Sequence, residues 1–217
     1  DFLDLGRGTL AVARPFNMAA TLESGQAFRW RCLERGWYWG VIGNHVVAVS
    51  QDRDQLMFRC LPGKEKHVSG LLYDYFRLED DLEAIYREIA IDEWMARAID
   101  RHRGLRLLRQ DPWECLVSFV CSTVSNIPRI SRTLEAVARR YGEPIALEGH
   151  TLYTFPLPER LARVGEGALR SLGLGFRAKY IAEIAEVVAE GRMELASLRR
   201  ESYGHAKAVL MALPGIG

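Results

Sequence analysis

Cysteine is scarce in this chain and never occurs as a close pair: Cys32, Cys60, Cys115 and Cys121 are spread over 217 residues with no CxxC. That usage argues against a disulfide framework or a zinc ribbon and fits a reduced, intracellular protein. Cys115 and Cys121 fall on different faces of one expected helix, and both read as small core residues. No apolar run is long enough to span a bilayer, and no secretory signal opens the chain. The five histidines (His45, His67, His102, His150, His205) show no HExxH or other metal-ligand spacing. Walker and Rossmann fingerprints are also missing, so neither metal nor cofactor is expected. The acidic group Glu79, Asp80, Asp81 and Glu83 reads as solvated charge at a helix start, where the macrodipole favours it. There is little net charge, +1, so composition does not point to a polyanionic partner; an enzyme gripping a short stretch of nucleic acid needs only a local basic face.

What is present is an ordinary globular composition, 48% hydrophobic and 26% charged, in a length that allows one large domain or two modest ones. The first third reads as strands. Thr21 to Arg31 places Phe28 and Trp30 on one side. Gly36 to Ser50 is rich in aromatic and β-branched residues around a Gly43-Asn44 turn, and Leu56 to Leu61 continues until Pro62-Gly63. Helical spacing of Leu82, Ile85, Tyr86 and Ile89 within 71–100 predicts a cover for that sheet. From about Gly104 the pattern is almost wholly helical. Asp111-Pro112-Trp113-Glu114 is a helix start with an N-cap, a proline at the first position and a capping-box glutamate. A second helix follows Asn126 through Ile130, Leu134, Val137 and Tyr141 to a stop at Gly142. Shorter helices over 158–164 and 167–172 lead to the Gly173-Leu174-Gly175 corner, a longer one ends at Gly191, and the last begins near Ser202. The expected fold class is α+β: an antiparallel sheet domain with covering helices over 1–103, then an all-α domain over 104–217.

The last residues, Leu213-Pro214-Gly215-Ile216-Gly217, follow an amphipathic helix. Such a turn lets bare backbone N–H groups approach a phosphate without reading sequence. Equally, it serves as a helix stop between packed helices, and from these five residues alone the two readings weigh about the same. Wider context shifts the balance. The order Ser24-Gly25-Gln26-Ala27-Phe28-Arg29-Trp30, Leu105 to Leu116, Cys121-Ser122, Leu172-Gly173-Leu174-Gly175-Phe176-Arg177-Ala178 and the final five residues resembles the 8-oxoguanine DNA glycosylases of the helix-hairpin-helix superfamily, over nearly the whole chain.

The resemblance implies base-excision repair of double-stranded DNA containing a damaged base, by a monomer with no membrane association, in the cytoplasm or nucleoid of a prokaryote or the nucleus of a eukaryote. It implies that the carbonyl of Gly25 accepts the N7-H that distinguishes 8-oxoguanine from guanine; otherwise Gly25 marks a strand bend. It implies an aromatic wedge at Phe176, contacts to the orphaned base from Arg177 and Arg129, and backbone contacts from Gly215, Ile216 and Gly217. Without it, Phe176 reads as core and Arg129 as solvated helix face. Three asparagines usually stand where this chain has Val124, Ser125 and Asn126. Val124 can fill the hole left by a flipped base but cannot hydrogen-bond to the opposite cytosine, Ser125 could partly compensate, and Asn126 doubles as a helix N-cap. The catalytic lysine, which forms a Schiff base at C1′ with help from an aspartate, is expected just after Gly217; Lys179 and Lys207 read as surface residues. The chain, beginning at Asp1 and stopping inside a motif, is expected to be a piece of its parent. Rival readings are a monofunctional alkylated-base glycosylase, towards which Val124 points, and a DNA-binding module that has lost its chemistry.

Overall fold

The computed structural model describes residues 5–216. They form two compact units: one runs to Gln110 and includes Ile145–Leu152, the other comprises Asp111–Pro144 and Tyr153 onward. The sequence pattern places a division after residue 103. Residues 104–110, however, are bonded into the first unit: Gly104 O accepts from Asn17 N (2.8 Å), and Arg109 N donates to Tyr75 O (2.8 Å).

In the first unit, β1 (Gly6–Ala11), β2 (Arg31–Glu34), β3 (Trp37–Ile42), β4 (His45–Asp52) and β5 (Gln55–Cys60) make an antiparallel sheet in the order β1-β5-β4-β3-β2. The β3–β4 turn falls at Gly43-Asn44, as the sequence predicts. The run Val46-Val47-Ala48-Val49 shows no alternation because β4 is covered on both faces. On one face Val47 and Val49 join Leu56, Phe58, Met18, Leu22, Val68 and Leu72 in a core. On the other, Trp39, Val46 and Ala48 pack with Leu147.

Two expectations change here. The stretch from Thr21 is not a strand at first: helix α1 (Met18–Glu23) comes before β2. Asn17 caps it, its side chain accepting from Ala20 N (3.0 Å), and Met18, Thr21 and Leu22 bury at helical spacing. The sheet's cover is also different. Helix α2 (Glu65–Tyr75) supplies it through Val68, Leu72 and Tyr75, whereas α3 (Leu82–Ile89) buries only Leu82 and α4 (Glu93–Arg101) buries nothing among the described residues.

The stretch from 104 onward is not wholly helical either. A hairpin of β6 (Pro144–Leu147) and β7 (His150–Tyr153) turns at Glu148-Gly149, both with positive φ (48° and 77°). Its residues 145–152 belong to the first unit. There His150 lies 4.5 Å from the Trp39 ring, and Glu148 pairs with Arg59 at 2.8 Å.

The second unit is helical as expected. Asp111 caps α5 (Pro112–Ser122) by accepting from Glu114 N (2.9 Å), and Trp113, Leu116, Val117 and Val120 are buried. Cys121 is buried there too, but Cys115 is exposed rather than core. Asn126 caps α6 (Ile127–Tyr141), which ends at Gly142. Helix α7 (Pro158–Leu169) breaks at Gly165 (φ 70°) and leads through a π-type turn, Arg170–Leu174, into α8 (Arg177–Ala189). Helix α9 (Tyr203–Met211), capped by Ser202, precedes the final turn.

Candidate nucleic-acid interface

In the first unit the Ser24-Gly25-Gln26 loop follows α1. Gly25 has φ of 83°, a left-handed conformation that glycine adopts without strain. A side chain that the sequence reading did not single out, Gln26, organises this loop. Its Nε2, with two hydrogens to donate, lies within hydrogen-bond distance of Thr21 O (3.1 Å), Ser24 Oγ (3.0 Å) and Arg106 O (2.9 Å), and its Oε1 accepts from Leu108 N (2.8 Å). Gln110 Nε2 then donates to Gln26 O at 2.7 Å. The backbone on both sides of Gly25 is thus tied to the 106–110 segment. Arg106 anchors that segment in turn: it is buried, and Nη1 donates to Arg77 O (2.6 Å) and Asp80 O (3.2 Å). Burial lowers this guanidinium's pKa, and the Asp80 carboxylate opposes the shift. Only the pairing of Gln26 with Gly25 in the Ser-Gly-Gln motif hinted at such a role.

In the second unit the other candidates gather around the end of α5. The chain leaves the helix at Thr123 and bends at Val124, with φ of 49°. A β-branched residue in this region is a genuine outlier, and such strain costs about 1–3 kcal/mol. Val124 is also 84% exposed, so the apolar side chain stands in solvent on a strained bend. Ser125 is half-buried, and Asn126 Oδ1 accepts from Arg129 N (3.0 Å), the N-cap role the sequence allows. The Arg129 side chain is exposed, and no carboxylate pairs with it among the described residues.

Phe176 follows the Gly173-Leu174-Gly175 corner and is 47% exposed, so it is not the core residue its sequence surroundings alone suggest. Its ring meets Tyr180 edge-on at 6.3 Å. Arg177 is placed differently from a residue open to a ligand: it is 5% exposed. Its Nε donates to Thr123 O (2.9 Å), Nη2 to Val124 O (2.9 Å) and to Thr123 O, and Nη1 to Leu174 O (3.4 Å). Its guanidinium carbon lies 4.6 Å from the Phe176 ring centre. One cation therefore ties the Val124 bend to the corner that carries Phe176. Beside it, burial pushes the Cys121 thiol up to about 12, with Arg177 acting the other way.

The terminal turn is built as its sequence demands. Ile216 N donates to Leu213 O (3.2 Å), with Pro214 and Gly215 (φ 79°) at the two central positions, the pattern of a type II turn. A Cβ on Gly215 would stand 2.6 Å from the Tyr180 ring, so both conformation and space require glycine. Ile216 is half-buried; Gly217 lies outside the described residues. Lys179 is exposed and 3.8 Å from Glu183, and Lys207 lies 6.0 Å from the Tyr203 ring centre. Neither belongs to the Val124–Arg177 cluster or the turn. Among the described residues no three His, Cys, Asp or Glu side chains group as a metal would require, and no helix is long and apolar enough to cross a membrane.

The architecture has clear relatives. A solved structure described as MBOgg1 in complex with low affinity DNA ligand superposes with a TM-score of 0.91 at 35% identity, over 98% of this chain and 73% of that one. The fold is thus that of a DNA glycosylase. Residues 9–116 match the family described as 8-oxoguanine DNA glycosylase, N-terminal domain. The N-glycosylase/DNA lyase OGG1 of Arabidopsis thaliana is 34% identical over 205 residues, 91% of this chain and 56% of that protein. The probable N-glycosylase/DNA lyase of Methanothermobacter thermautotrophicus is 33% identical over 228 residues, 93% of this chain and 72% of that protein. The chain belongs to the 8-oxoguanine DNA glycosylase family, and it spans little more than half the length of the Arabidopsis relative.

Proposed function

We propose that the protein carrying this chain is a base-excision repair enzyme, a DNA N-glycosylase with AP lyase activity that removes 8-oxoguanine from duplex DNA. The observation that carries this reading is the pair of exposed apolar residues, Val124 and Phe176, on two bends joined by the buried Arg177 guanidinium. An enzyme that turns a nucleotide out of the stack needs apolar groups to occupy and wedge the gap. Val124 is the filler and Phe176 the wedge; Arg129, with no carboxylate partner among the described residues, and Ser125 face the orphaned base. Asn126 starts the helix that carries Arg129. The Gly25 carbonyl, on a loop fixed by Gln26, accepts the N7-H of the damaged base. The turn through Gly215, Ile216 and Gly217 presents backbone to phosphate.

A division of labour between a sheet domain and a helical glycosylase domain belongs to this proposal, with the boundary moved from residue 103 to the two units' own limits. So does the nucleophile: a lysine just after Gly217 attacks C1′, the base departs, and the resulting Schiff base permits strand cleavage. No metal or cofactor takes part, and the enzyme acts as a monomer inside the cell, where its DNA substrate is. Because Val124 offers the opposite base no hydrogen bond, cytosine is not strictly required.

The test is borohydride trapping of the full-length protein on duplexes with 8-oxoguanine opposite each of the four bases. Formation of an adduct that disappears when the lysine is replaced, with similar yields across opposite bases, is the expected result. Alkali-labile sites without an adduct would instead identify a monofunctional enzyme, the reading Val124 favours second. Duplex binding with neither product would leave a binding module.

A further inference from the structure

We propose that Arg177 is a positioning residue: its buried guanidinium holds Val124 in the left-handed conformation and so fixes where the apolar side chain at 124 stands. Valine at this φ is disfavoured by its own branched Cβ, so something outside residue 124 must impose the bend. Arg177 is the group that does so. It accounts for the carbonyls on both sides of the bend, Thr123 O at 2.9 Å and Val124 O at 2.9 Å, while Nη1 reaches Leu174 O at 3.4 Å. The planar guanidinium presents five donors from three nitrogens in a fixed fork, which matches carbonyls spread over two bends better than the three donors of a single ammonium nitrogen. The cation also sits at the C-terminal end of α5, where the helix dipole attracts it. Its hydrogen bonds to Thr123 O, Val124 O and Leu174 O are all to main chain.

Two consequences separate this from an arginine that reads a base directly. First, the strain at Val124 exists because Arg177 maintains it. A residue that enters the left-handed region readily, asparagine, should stabilise the protein while Arg177 is present and bring little once it is gone. Second, the contribution of Arg177 to the DNA complex passes through residue 124. That second consequence rests on the function proposed above; the first does not.

A double-mutant cycle in the full-length protein tests both, using Val124→Asn, Arg177→Ala and their combination, with Arg177→Lys as a milder second variant should the alanine protein fold poorly. In thermal melting without DNA, Val124→Asn is expected to raise Tm by about 2–4 °C with Arg177 present and by less than about 1 °C without it. In binding to a duplex with a reduced abasic analogue, loss of Arg177 is expected to weaken affinity about tenfold with Val124, and only about twofold with asparagine at 124. A merely structural arginine would not be rescued in binding by a change at 124. Additive melting effects would overturn the clamp. Equal losses of affinity in both backgrounds would show that Arg177 contacts DNA itself, and no loss in either would show that the bend does not matter to binding. If the unmutated protein does not prefer the abasic duplex to an undamaged one, the functional reading fails, and the melting cycle still decides the clamp.

Discussion

At the scale of single residues, the chain places side chains where their own preferences are overruled. Val124 is the clearest case: a valine on a bend that suits glycine or asparagine, exposed where an apolar group gains nothing from burial. Arg106 and Arg177 are the converse, cations withdrawn from water that donate to main-chain carbonyls, although Arg106 Nε is buried without a partner among the described residues. A third example titrates in an accessible range. His45 packs against His67 with ring centres 4.6 Å apart, and burial, His67 and Lys64 all lower its pKa below 6.5. The unfolded chain therefore takes up a proton that the folded protein resists. The stability due to neutral His45 is complete above pH 6.5 and declines as pH falls through the window beneath it. Urea unfolding from pH 7.5 to 5 should show a midpoint that drops more steeply for the natural protein than for His45→Gln; equal slopes would assign the acid sensitivity to other groups.

Among elements, legibility follows how local the determinants are. Helices α5 and α6 are readable because Asp111, Pro112 and Asn126 stand at their starts and the apolar stripes repeat within one element. Helix α1 is not, since its six residues offer a single turn of periodicity beside a strand-like aromatic stretch. The β6–β7 hairpin escapes for a similar reason: four residues per strand carry almost no alternation, and Leu147 becomes informative only when the face of Trp39, Val46 and Ala48 is known. If the hairpin seals that face, Leu147→Ala should lower stability by about 2–4 kcal/mol, the usual cost of emptying a packed leucine site. Chemical denaturation with Trp fluorescence would measure it, and a loss below about 1 kcal/mol would mean the hairpin contributes little to the sheet's cover.

For the whole molecule, a net charge of +1 conceals an uneven distribution of function. On the function proposed above, affinity for nucleic acid draws on local cations and backbone donors, such as Arg129 and the 213–216 turn, rather than on the overall charge of this chain. Binding of the full-length protein to duplex DNA should therefore weaken linearly in log K against log salt, with a shallow slope corresponding to roughly 2–4 neutralised phosphates. Fluorescence anisotropy across a salt series reads this, and a much steeper slope would require a broad basic surface not evident in the described residues. The exposed apolar side chains of α4 and of the link before it also emerge only at this scale: Ile91, in the link, is 82% and Trp94 78% exposed. Periodicity there predicts a cover for the sheet, a role that α2 takes instead.

The sequence by itself determined the α+β class, the caps of α5 and α6, the turn at Gly43-Asn44, the glycine of the terminal turn and the family to which the chain belongs. Each of these rests on a few neighbouring residues or on motif order along the chain. Only the tertiary structure decided that Arg177 grips the Val124 bend, that Gln26 ties the Gly25 loop to residues 106–110, and that a hairpin seals the second face of the sheet. Arg177 reaches across 54 residues to Thr123, and Gln26 across 80 to Arg106. At such separations no local pattern encodes the partner. The pairing arises because packing removes water from these polar groups and leaves main-chain carbonyls as the acceptors within reach.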